Sequence, residues 1–544
     1  MRILRFLRRP EAIVVLLALA ASASSLGNGF VYDDVSIVFQ NRIVHNLGAS
    51  EQIWHTAYWP AGLLYRPLTI QLFAVQWAAG GGSRIVFHAF SVLLMILVAL
   101  LFWRLARRVL PRDPALAAAA LFAVHPVHVE SVGNVVGQAE LLAAGFALLA
   151  IERYLAWRKE GGLHLGRRVA LAAVTLAAIA SKETGYAIPL LLVAAEVLVA
   201  GRGSDWRDKY RALAPTMLLQ LGVTAAAVLI RIIVLGPTTG AGPSVAFEGL
   251  SNGGRIAGML SVVPEWARLM IWPAHLQAEY GPPGIPMREV FGPAHLLGVL
   301  LLALTVLLYV VSRRHAPMVA FGLGWFAITI LPVSNLLTPS GVVLAERTLF
   351  LPSAGAMLVV GGGLSLLLPR LEARGVRAAQ FAWALLAGVV LAGAIRSGWR
   401  QLTWKEQAGF FRKLEADAPR TYRAQLAASN FYSEIGQYQA AERAARRAFE
   451  LYRGDPQVHE QLGQMLRRRG RCVDALPVLT DGVRRFPDRT LARSRLIECA
   501  LAVGDTARAL AVAVEGVRFG RTEFNSTIRR LDPRASPPRG PAPP

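Results

Sequence analysis

Segments of roughly 17–25 apolar residues, each long enough to cross a hydrocarbon core of about 30 Å, recur between residues 11 and 396 of this 544-residue chain. A chain with so many such segments is expected to be an all-α, polytopic membrane protein. Eleven crossings are expected, with cores at 11–27, 85–106, 114–132, 138–157, 168–182, 184–200, 212–235, 294–312, 316–332, 350–368 and 379–396. The stretch 256–273 reads either as re-entrant or as one further span. Composition agrees: 54% of residues are hydrophobic and only 17% charged, far more apolar than a soluble chain of this length needs.

The formal net charge of +23 does not point to nucleic acid. The cations fall in short clusters between apolar runs, and such clusters face the cytoplasm in membrane proteins. Arg2, Arg5, Arg8 and Arg9 precede the first span. Alternate loops carry Arg107, Arg108 and Arg112; Arg158, Lys159, Arg167 and Arg168; and Arg202, Arg207, Lys209 and Arg211. Arg313 with Arg314, then Arg370, Arg374 and Arg377, continue the series. The amino terminus is therefore expected in the cytoplasm. Segments 28–84, 237–293 and 333–349, and everything after residue 396, are expected outside, as in a bacterial-type inner or plasma membrane. The first run is read as a retained span rather than a cleaved signal, because the alternation needs it.

Beyond residue 400 the chain turns polar and repeats. Gly436, Gly470 and Gly504 are spaced by 34, as are Ala441, Ala475 and Ala509, which is the tetratricopeptide period. Tyr432, Leu466 and Ala500 form a further set, as do Ala428, Leu462 and Leu496. The expected organisation is a membrane domain at 1–398, a helical linker at 399–420, about three repeats at 421–525 and a Pro-rich, disordered tail at 526–544, most evident from Asp532. Cys472 and Cys499 are the two cysteines; two free thiols are expected in preference to a bridge.

Ionisable residues gather in the outer segments. Asp33 and Asp34 follow the first span in VYDDVSIVFQN, and Tyr65 and Arg66 lie in LLYRPLTIQLF. LFAVHPVHVESVGNVVGQAELL holds His125, His128, Glu130, Gln138 and Glu140, and SKETG holds Lys182 and Glu183. LPVSNLLTPSGVVLAERTLFLPS holds Asn335, Glu346 and Arg347. Charge at membrane depth is costly unless paired or wetted, so such residues mark a cavity or pathway.

In this order, and followed by the repeats, these stretches resemble the transmembrane and tetratricopeptide repeat proteins, of the wider class of GT-C membrane glycosyltransferases that includes protein O-mannosyltransferases. The resemblance implies a multi-span enzyme that moves a sugar, mannose by resemblance, from a polyprenyl-phosphate carrier to a protein Ser or Thr hydroxyl outside the cytoplasm. It also implies that the acidic pair Asp33–Asp34 is the catalytic site. Where many relatives carry Arg after the Gly of VGQAE, this chain carries Gln138.

The chemistry agrees with those residues. A carboxylate can take the proton of the attacking hydroxyl, while the lipid phosphate leaves through an oxocarbenium-like transition state and the anomeric carbon inverts. Of two adjacent Asp residues one is expected to be the base, with Asp33 slightly favoured, and the other to orient the loop. Arg347 and then Lys182 are expected to hold the phosphate, with Arg66 orienting sugar or phosphate. No cofactor is expected and no metal is required, the lipid-linked sugar being a substrate; expected partners are membrane lipid, that donor and an acceptor protein reached through the repeats.

Blander readings stand beside each of these. The acidic pair can cap a helix beginning near Val35, and His125, His128 and Glu130 can be a polar span end or metal ligands. Tyr65, Arg66 and Lys182 can be interfacial anchors, and Glu346–Arg347 a structural ion pair. The arginines of the repeats can be a solvated face near anionic lipid. A non-catalytic membrane scaffold for envelope assembly, and more weakly a transporter, are the competing functions.

Overall fold

The computed structural model describes residues 9–59, 64–237, 244–285, 287 and 291–534. The expected cytoplasmic cations Arg2, Arg5 and Arg8, and tail residues 535–544, lie outside the described residues. Among the described residues the chain is helical throughout, with one isolated bridge between Pro283 and Thr421. It divides into two units, Met1–Ala278 with Arg288–Phe410, and Glu279–Met287 with Phe411–Pro544.

In the first unit every expected apolar segment falls on a helix, but not every helix can cross alone. Eight described helices are long and apolar enough, and nine result if Arg112–Val124 and Pro126–Gly133, bent by 44°, form one span. Leu165–Ser181 and Pro317–Val333 fall short of that length. The stretch 256–273 forms two nine-residue helices, Asn252–Leu260 and Val263–Ile271. At 1.5 Å per residue each reaches about 14 Å, so neither is a further span.

The helices Trp206–Leu235, Pro293–His315 and Val376–Trp404 leave most of their apolar surface uncovered, as lipid-facing spans do. The core lies among Arg84–Val109, Arg112–Val124 and the helix opening at Gln138, where Phe102, Phe122, Ala147 and Ile151 are sealed. Small residues let backbones touch. A Cβ on Gly322 would lie 2.6 Å from the carbonyl oxygen of Gly355, and one on Gly355 would lie 2.5 Å from that of Gly322. Pro317–Ile330 and Phe350–Arg374 therefore cross in backbone contact, a packing mode membrane helices favour. That crossing fixes the turn Glu346–Leu349, which leads into the second helix.

The expected boundary at residue 398 falls inside the helix Val376–Gln401; the units part between Phe410 and Phe411. In the second unit three helix pairs follow in order: Tyr422–Glu434 with Tyr438–Leu451, Pro456–Arg468 with Cys472–Arg485, and Thr490–Ala502 with Thr506–Arg518. Gly436, Gly470 and Gly504 have φ of 78°, 72° and 81°, a left-handed turn that glycine adopts without penalty. Ala441, Ala475 and Ala509 are wholly buried. Residues 526–531, expected in the tail, instead belong to the helix Asn525–Leu531. Its Ile528 is sealed beside Phe524 and Val517, covering the apolar end of the last repeat as solenoid caps do.

The expectation of free thiols is corrected. Cys472 and Cys499 form a disulfide with Cα atoms 5.0 Å apart, within the range a bridge requires, because their helices pack against each other across the repeat boundary. By loop closure over 27 residues the bridge is expected to stabilise the repeat unit by about 3 kcal/mol. Thermal unfolding of the full chain should show the repeat transition falling in Cys472→Ser/Cys499→Ser relative to wild type.

Candidate active site

The outer segment after the first span is tied down by its own polar groups. Asn28 donates to the carbonyls of Gly133 (2.9 Å) and Gln401 (3.0 Å). Tyr32 takes a φ of 59°, its N–H meets Gln407 at 3.1 Å and its ring stacks on Phe410. This left-handed residue, rare outside glycine and found where surroundings enforce it, immediately precedes the acidic pair.

Asp33 and Asp34 diverge. Asp34 is fully buried, and its two carboxylate oxygens accept the backbone N–H groups of Val135 (3.0 Å) and Val136 (2.8 Å). It does not cap the turn Val35–Phe39, so the helix-cap reading fails: its partners lie a hundred residues along the chain. Burial pushes the Asp34 carboxyl up to about 7, against the pull of those two N–H groups and with added repulsion from Asp33. Asp33 is only partly buried. Asp34 is thus a clamp between the outer segment and the turn Val135–Gly137.

Three ion pairs involve further expected site residues. Arg66 donates to Glu183 through Nη2 (2.7 Å) and Nε (3.1 Å). Lys182 pairs with Glu140, and the Arg347 guanidinium with Glu130; the Arg347 backbone N–H also reaches Glu130, at 2.8 Å. Glu140 and Glu130 are 2% exposed, deep enough that each carboxylate needs its cation. Lys182 lies within electrostatic reach of Arg66 and Arg347 as well as of Glu140, so the three pairs form one cluster. Arg66 has five N–H donors and Lys182 three, and one carboxylate does not exhaust them.

The other expected site residues have partners of their own. His125 faces the Met270 carbonyl and His128 the Ser353 hydroxyl, while Glu130 turns to Arg347, so these three form no common ligand set. Gln138 joins a buried amide network with Gln76, Ser91 and the Phe87 carbonyl, which a side chain without charge satisfies. Asn335 clamps its own loop through Ser340, Val342 and Val343. Glu346 accepts the Gln277 N–H at 2.5 Å. Tyr65 donates to the Trp54 carbonyl at 2.8 Å.

A cavity of about 710 Å³ opens beside the cluster. Its walls are apolar, with Leu68, Leu176, Leu190, Ile230 and Ile328 among them, and polar groups enter from Tyr65, Glu183, Tyr186 and Arg231. Glu183 belongs both to this cavity and to the Arg66 pair, so the groove leads into the charges. A second apolar groove of about 450 Å³ shares Leu190 and Ile328 with it, extending the apolar path.

Two residues escape the sequence reading. Arg231 interrupts the apolar run of Trp206–Leu235, a signal visible in LIRIIVL. Tyr58 is 2% exposed, with the Arg66 guanidinium 4.8 Å from its ring centroid; nothing in HTAYWP distinguishes it.

Mouse protein O-mannosyl-transferase TMTC3 is 26% identical over 437 residues, covering 73% of this chain and 46% of that protein. Mouse protein O-mannosyl-transferase TMTC4 is 27% identical over 466 residues, covering 75% and 62%. The chain is a homologue of the transmembrane and tetratricopeptide repeat proteins. Drosophila melanogaster protein O-mannosyl-transferase Tmtc2 reaches 34% identity over 252 residues, 43% of this chain and 26% of that relative. The chain spans about half the length of the curated relatives it matches. No family profile matches it. Among solved structures, an Archaeoglobus fulgidus oligosaccharyltransferase superposes with a TM-score of 0.42 and 13% identity over 83% of this chain and 60% of that one.

Proposed function

We propose that this protein transfers a sugar, mannose by kinship with the O-mannosyl-transferases, from a polyprenyl-phosphate donor to a Ser or Thr hydroxyl of an acceptor protein. The observation that carries the reading is the apolar groove ending in the charge cluster through Glu183. A long hydrocarbon chain fits the apolar walls, and its phosphate would arrive where Arg66, Lys182 and Arg347 present N–H donors. Asp33 serves as general base toward the acceptor hydroxyl, and the phosphate leaves as the glycosidic bond forms, inverting the anomeric carbon in a single displacement. No step calls on a metal or cofactor.

The site is placed on the outer side of the membrane. Support comes from the positive-inside alternation of loops and from the Cys472–Cys499 bridge, which belongs to an oxidising compartment. The repeats offer a surface for the acceptor polypeptide.

Donor competition tests the reading. Membranes containing the protein should move labelled sugar to protein from polyprenyl-phosphate-mannose, and a nucleotide-linked mannose should neither replace nor compete with it. Equal use of the nucleotide sugar would contradict the groove's assignment. The scaffold alternative expects no transfer from either.

A further inference from the structure

Tyr58 combines burial with an unanswered hydrogen bond. Its ring is packed in an apolar cluster with Ile37, Ile53, Phe73, Phe87 and Val135. Its backbone N–H is held by the Leu64 carbonyl at 2.7 Å. The hydroxyl is buried and finds no hydrogen-bond partner among the described residues, although a buried polar group normally has one. It lies within electrostatic reach of Arg66, Arg347, Asp33 and Asp34. Burial pushes its ionisation up beyond the ordinary tyrosine range, so it is a neutral O–H, a donor in want of an acceptor.

We infer that the Tyr58 hydroxyl binds the donor's phosphate, donating to a phosphoryl oxygen held between Arg66 and Arg347. This rests on the reading of the site as one for a lipid phosphate. An anion is the acceptor that suits the position: the Arg66 guanidinium, 4.8 Å from the ring centroid, attracts negative charge there more than either Asp33 or Asp34 repels it, and an O–H bond to a charged oxygen is stronger than one to a neutral group. The empty hydroxyl is then a stability cost held in reserve for the ligand, a trade common at functional sites.

The test uses the purified full chain and two probes, polyprenyl monophosphate and the corresponding polyprenyl alcohol. Removing an unpaired buried hydroxyl should leave the unliganded melting temperature of Tyr58→Phe equal to or above wild type. The same change should weaken polyprenyl phosphate about 10–100-fold, as loss of a hydrogen bond to a charged group does, while the alcohol binds unchanged. Unchanged phosphate affinity, or equal loss for phosphate and alcohol, would overturn the assignment. Where the Phe variant does not accumulate, 3-fluorotyrosine at position 58 keeps the ring and sharpens the donor. Tighter phosphate binding is then expected, and no change would count against the proposal. Failure of wild type to bind polyprenyl phosphate would remove this inference, whereas binding without sugar transfer would retain it and remove the transfer reading.

Discussion

Asp33→Asn is expected to lower sugar transfer by about 10²–10⁴-fold, the range for loss of a general base, with membrane abundance and melting temperature unchanged. Asp34→Asn is expected to reduce transfer far less and to act through stability. The difference follows from where the carboxylates sit. Both Asp34 oxygens accept the N–H groups of Val135 and Val136 and the side chain is fully buried, so it is committed to holding the backbone rather than to meeting a substrate hydroxyl. Asp33 is partly exposed on a segment whose direction the Tyr32 turn and the Asp34 clamp fix. Transfer measured per molecule of protein in membranes, beside thermal stability of each variant, checks both halves. Equal loss from the two substitutions without a stability change would mean that the residues share the chemistry.

The second large effect concerns Arg347. Arg347→Gln leaves Glu130 buried at 2% exposure without its cation, a situation that costs about 3–5 kcal/mol, and the variant should be scarce or unstable. Adding Glu130→Gln removes the stranded charge, so the double variant should recover abundance. Transfer should not recover: loss of one fixed donor to a developing anion costs about 10²–10³-fold. Recovery of both would reduce Arg347 to a structural partner of Glu130. Quantifying abundance and turnover for the single and double variants separates these cases, because stability and phosphate binding respond in opposite ways to the second substitution.

The parts of this molecule that were legible from sequence are those governed by local rules. Repeat turns need a left-handed residue every 34 positions, and Gly436, Gly470 and Gly504 supply it. Apolar length marks membrane helices, but a run such as 165–181 or 317–333 forms a helix of 17 residues, at the lower limit for crossing. The charged residues of the site were legible as a set, since charge beside a span is expensive. Their pairing was not. Glu346 and Arg347, neighbours in sequence, reach partners far along the chain, Gln277 and Glu130, which no local pattern announces. VYDDVSIVFQN offers a catalytic pair or a helix cap for Asp34, and its long-range clamp on Val135 and Val136 has no local signature. Tyr58 and the Cys472–Cys499 bridge depend in the same way on which helices meet. Composition says nothing about that.

The most direct measurement reconstitutes the purified full chain with labelled polyprenyl-phosphate-mannose and an acceptor protein, then asks whether label is released from protein by alkaline β-elimination, as an O-linked sugar on Ser or Thr is. The account predicts label on protein with wild type and its disappearance with Asp33→Asn. Label transferred equally well by Asp33→Asn, or no transfer by a wild-type protein that binds the donor, would contradict it.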